Sequence, residues 1–174
     1  MNKKEFIIPF IGLKLGSHNY DFKIQYSFFD GYEMTEFTDC DVNVDLELIK
    51  RSTFMELCFH VSGTITSNCD RCGDELKIKI TNNEKVIVKF GEIQSEEDEI
   101  IVIAHNEQEI DVSNQIYQSI LLAIPMSRRH AEGECDPQTI AYLENILEKE
   151  EKTEEEPIDP RWDKLVKLKK NNLN

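Results

Sequence analysis

FMELCFHVSGTITSNCDRCGDELKIKI, residues 54–80, reads as strand, turn, strand. Met55, Leu57, Phe59, Val61 and Ile65 keep a period of two up to the turn, and Leu76, Ile78 and Ile80 resume it beyond. Gly63 interrupts the first run and predicts a bulge there. At the tip stand Cys69 and Cys72, two residues apart, with Gly73 behind them. Three chemistries are open to such a pair: a redox couple, a metal knuckle, or space-filling thiols. A thioredoxin-type redox pair opens a helix, whose N-terminus stabilises the thiolate. A glycine after the second cysteine instead lets the backbone reach φ > 0 and turn its amides towards two thiolates, the knuckle used by structural zinc.

A knuckle supplies two ligands, and tetrahedral zinc takes four. The other close grouping of ligand types is RRHAEGEC, residues 128–135, where His130 and Cys135 are separated by four residues. The set is Cys69, Cys72, His130 and Cys135, with one structural zinc as the predicted cofactor and four unligated side chains as the alternative. His60 competes for the fourth place from about eight residues up the strand. Cys40 and Cys58 read as small buried hydrophobes.

Upstream, FIIPFIGL (6–13) reads as a strand that Pro9 confines to an edge. YDFKIQYSFF (20–29) and VNVDLELI (42–49) alternate, as does KVIVKF (85–90) downstream of the hairpin. In IDVSNQIYQSILLAIP (110–125) the period lengthens: Ile116, Ile120, Leu121 and Ile124 share a helical face, Ser113 is the expected N-cap, and Pro125 stops the helix. QTIAYLENILEKE (138–150) carries a second stripe of Ile140, Leu143 and Leu147. The predicted fold class is α+β: a mostly antiparallel sheet of about six strands within residues 3–104, a zinc-knuckle hairpin, and a few packed helices. Residues 1–150 form the expected single α+β domain with the metal site, and 151–174 an acidic linker with a short basic amphipathic segment.

The chain has 174 residues, 34 acidic and 20 basic, for a net charge of −14. Such a field opposes broad attraction to phosphate backbones and favours basic partners. Residues 131–157 hold ten acids against Lys149 and Lys152, whereas residues 161–170 hold Arg161 and four lysines against Asp163. In that tail Trp162, Leu165 and Val166 form a helical stripe among Lys164, Lys167, Lys169 and Lys170, the pattern of a docking peptide. The opening MNKKEFIIPFIGLKLGS lacks a small-residue cleavage site, and no run approaches the roughly 20 apolar residues of a membrane span. A cytoplasmic location is expected, and in a reducing compartment five cysteines point to thiols or metal ligands.

Three blocks in this order, CDRCGDEL, IDVSNQIYQSILLAIPM leading to HAEGEC, and the basic DPRWDKLVKLKK, resemble the YceD family, the large ribosomal RNA subunit accumulation proteins. The resemblance implies a role in accumulation or processing of large-subunit ribosomal RNA, and it places Cys69, Cys72, His130 and Cys135 on the family's Cys and His positions. No Gly-rich phosphate loop, nucleophile elbow or His-Glu-x-x-His helix is present, so no enzyme is expected. The expected function is ribosome assembly, through a basic large-subunit ribosomal protein, through local RNA contact, or both. Arg71, Arg128, Arg129 and the tail residues Trp162, Lys164, Lys167, Lys169 and Lys170 are the candidate contacts. The alternatives are an acidic, metal-stabilised chaperone or adaptor for another basic protein, and a thiol redox protein using Cys69 and Cys72.

Overall fold

A computed structural model describes residues 3–32, 37–91 and 100–152. Its centre is the hairpin read from the sequence: β4 (Phe54–Asn68) pairs antiparallel with β5 (Glu75–Phe90) along the full length of β4. With β2 (Gly16–Gln25), β3 (Asp39–Lys50) and β6 (Ile100–Ile103) they form a five-stranded sheet in the order β2-β3-β4-β5-β6. All pairs are antiparallel except β5 and β6, which run parallel. A separate two-stranded ribbon joins β1 (Ile7–Pro9) to β7 (Glu109–Asp111), so the segment expected at an edge of the main sheet pairs elsewhere. The fold is α+β and mostly antiparallel.

Alternation builds the core. On β3, Cys40, Val42, Val44, Leu46 and Leu48 are buried while the residues between them are exposed. Met55, Leu57, Phe59 and Val61 of β4, with Val86 and Val88 of β5, continue the same face. Each such aliphatic or aromatic side chain contributes about 1.5–3 kcal/mol on leaving water. Gly63 makes no bulge. It stays in register between Val42 and Ile80, and a Cβ there would strike the Asp41 carbonyl oxygen and stand 2.6 Å from Val42 Cα. Glycine is needed because two backbones approach closely at this point.

Helix α1 (Ser113–Ala123) covers β4 and β5 through Ile116 and Ile120. Ser113 does not cap it. The carboxylate of Asp111 accepts the Ser113 amide at 2.9 Å from outside the helix, and Val112 occupies the cap position. Ser119, fully buried on α1, accepts hydrogen bonds from the Asn82 amide at its carbonyl (3.1 Å) and hydroxyl (3.2 Å). Tyr117 stacks on Tyr32 at 3.9 Å, tying α1 to the aromatic cluster of Phe28, Phe29 and Phe37 that follows β2. The ammonium of Lys50 holds the loop after β1 by donating to the carbonyls of Phe10 and Leu13.

The chain divides into two units, Met1–Ala131 and Glu132–Asn174. In the second, α2 (Pro137–Lys152) begins at a cap that sequence reading missed. Asp136 accepts the Thr139 amide and hydroxyl at 2.7 Å each, with Pro137 in the first helical turn. The Asp-Pro pair was the readable signal. Among the described residues no helix is long and apolar enough to cross a membrane.

Candidate metal centre

Long antiparallel pairing carries β4 and β5 to a tip at residues 69–74, closed by the Cys69 amide on the Asp74 carbonyl (2.8 Å) and the Gly73 amide on the Cys69 carbonyl (2.9 Å). Gly73 has φ 80°, the left-handed value that lets the chain fold under itself. The Arg71 amide then points at Cys69 Sγ from 3.4 Å. This is a knuckle, with the cysteine pair in a turn instead of at a helix start.

Residues 128–130 lie beside that tip. The Asp70 amide donates to the Arg128 carbonyl (2.7 Å), the Arg128 amide returns a bond to the Asp70 carboxylate (2.7 Å), and its guanidinium reaches the other carboxylate oxygen at 3.1 Å. The Arg128 amide, followed by its side chain, holds the Asp70 carboxyl below its ordinary range. Arg128, expected to meet a partner, is therefore engaged within the fold. Arg129 is exposed.

This pairing sets His130. Its Nε2–H donates to the Glu75 carbonyl at 3.1 Å, so in the neutral ring Nδ1, 3.5 Å from Cys72 Sγ, is the nitrogen without a proton. The ligand atoms of Cys69, Cys72, His130 and Cys135 lie within 4.8 Å of one another. Tetrahedral zinc with Zn–S about 2.3 Å and Zn–N about 2.0 Å would space its ligand atoms about 3.5–3.8 Å apart. The donor set fits that ion. A histidine ligand whose other nitrogen donates to a carbonyl, and a thiolate that receives backbone amides, are the outer contacts metal ligands carry. Cys135 is buried, in the turn ahead of α2 where Gly133 has φ 86°.

The electrostatics favour a ligating thiolate. Burial opposes ionisation of Cys69, but the amides of Cys72, His130 and Arg71, with the Cys72 side chain, outweigh it and bring the thiol from 9.0 to about 6. The Cys69 side chain in turn raises the His130 imidazole. Cys40 behaves as a buried hydrophobe, its thiol pushed up to about 12 by burial and then by Asp39 and Asp41. Cys58 is half-buried on the outer face of the sheet. His60 stands outside this group: in mid-β4 it meets Asn83 on the neighbouring strand. Trp162, Lys164, Lys167, Lys169 and Lys170 lie outside the described residues.

Residues 57–169, well over half the chain, match the family described as large ribosomal RNA subunit accumulation protein YceD. The chain belongs to the YceD family. Neither curated proteins nor solved structures gave a match. The YceD name ties the chain to large-subunit ribosomal RNA, and the matched span holds the hairpin tip, α1 and all four clustered Cys and His side chains.

Proposed function

We propose that this chain is a non-enzymatic, cytoplasmic factor for assembly of the large ribosomal subunit, whose hairpin tip is fixed by one structural zinc on Cys69, Cys72, His130 and Cys135. The observation that carries the metal reading is His130, whose bond to the Glu75 carbonyl turns Nδ1 towards Cys72. Zinc would supply a rigid cross-link and no reaction, since four protein ligands leave no open position for water.

The partners follow from charge. A −14 chain gains no RNA affinity from its overall field, whereas basic ribosomal proteins are drawn to it. The outer face of β3 adds exposed Asp39, Asp41, Asp45 and Glu47 to the acidic run after Ala131. A basic large-subunit protein is thus the primary partner, with RNA touched locally. In this reading residues 1–150 are the working domain, and the tail with Trp162 and its lysines is a docking peptide. The test is capture by the tagged protein from lysate, with and without nuclease, at about 0.15 M salt. A basic large-subunit protein retained after digestion supports the reading. Recovery that vanishes with the RNA makes RNA the primary partner.

A further inference from the structure

Where RNA would touch this acidic chain is written in the alternation of β5. Lys77, Lys79, Lys85 and Lys89 all face outward from the sheet. Lys85 is spent within the fold, paired with Glu56, which Arg51 also holds at 2.9 Å. Lys77 and Lys79 are exposed, and no salt bridge among the described residues involves them, Arg71 or Arg129.

Their neighbours leave them available. Across the ladder Lys77 faces Thr66 and Lys79 faces Thr64, both uncharged. The acids beyond, Asp39 and Asp41, are two strand spacings away, roughly 9.6 Å, and Asp41 already pairs with Lys23 at 3.4 Å. That separation exceeds the roughly 8 Å over which salt screens charges under physiological conditions. On the other side β6 pairs with β5 only from Ile87 to Phe90, so at Lys77 and Lys79 the described sheet ends with β5. The same end carries Arg71 on the tip and Arg129 beside it, while Arg128 neutralises Asp70. Glu75, two residues from Lys77 on the same exposed face, lies inside that screening length and, with Asp74, bounds the cationic track at the tip.

We propose that the tip-proximal end of β5, with Lys77, Lys79, Arg71 and Arg129, is a binding track for RNA backbone phosphates. This rests on the assembly reading above and names the local RNA contact it requires. The β3 acids orient the occupant: a phosphate backbone lies along the open edge of β5 and is turned away from the β2–β3 side. Contacts from lysine and arginine to phosphate position a nucleic acid without reading its bases, so the contact is independent of base sequence.

The test uses the full-length chain and transcribed large-subunit ribosomal RNA, with affinity followed against salt. K77E/K79E is compared with K23E/K89E, an equal charge change placed elsewhere on the outer face. K77E/K79E is expected to weaken binding about tenfold or more and to reduce the salt slope by about 1.4–1.8, the loss of two phosphate contacts. K23E/K89E should weaken it less than about threefold with the slope nearly kept. Melting temperatures matching wild type exclude misfolding. Equal losses in both variants, or an unchanged slope in K77E/K79E, overturn the track. Rescue of a depleted strain separates it from the wider reading: a wild-type chain that binds no RNA yet restores large-subunit RNA overturns the track alone, and one that does neither overturns both.

Discussion

His130 and Glu75 are 55 residues apart in sequence, and the imidazole Nε2–H of one donates to the main-chain carbonyl of the other at 3.1 Å. That bond selects the tautomer whose Nδ1 faces Cys72. Substitution separates its consequences. His130→Ala should lower zinc affinity by at least tenfold, whereas His130→Cys should retain metal as a four-cysteine site, both read by competition with a chromophoric chelator.

Cys69→Ser should remove metal and stability together, because ligation and folding are coupled. The expected loss is several kcal/mol in the zinc-loaded protein, seen as a lower unfolding midpoint. A variant that loses zinc yet unfolds at the wild-type midpoint would show that the knuckle stands without the ion.

The metal-free protein should show a thiolate that titrates at about 6 and is missing in Cys69→Ser, read from ultraviolet thiolate absorbance. Because the folded value lies below the ordinary 9.0, ionisation of Cys69 contributes stability fully above pH 9 and loses it as pH falls through about 6. His130 is raised, so its contribution runs the other way: present below its ordinary 6.5 and lost as pH rises through the folded value. Absence of any thiolate below about pH 8 would contradict the amide cradle around Cys69.

Gly63→Ala should destabilise the sheet by about 1–3 kcal/mol in denaturant unfolding, since β3 must move to admit a methyl group, and should leave zinc content unchanged. Asn82→Ala should cost a similar amount, about 1–3 kcal/mol, by stranding the buried Ser119 hydroxyl.

Much of this was legible because the sheet has one buried face. On β3 and β4 the two-residue period survives almost unbroken, and the grouping of Cys69, Cys72, His130 and Cys135 could be read from their spacing. β5 was harder: Thr81, Asn82, Asn83 and Glu84 break the apolar pattern, yet the strand runs on because Asn82 serves α1 through Ser119. The union of β1 with β7 and the parallel β5–β6 pair depend on contacts between distant segments, which local periodicity does not carry. The group that orients His130 was invisible for another reason: it is the main-chain carbonyl of Glu75, and any residue at that position would offer one. The pairing of Arg128, a candidate partner contact by sequence, with Asp70 is not legible locally, because Asp70 lies in a turn 58 residues away.

One zinc is proposed to hold this hairpin tip. Native mass spectrometry of the full chain, purified without added metal, tests it most directly. One zinc per chain is expected, removed by a strong chelator with a fall in melting temperature. A chain carrying less than about a tenth of an equivalent of metal, and melting unchanged with the chelator, would contradict it.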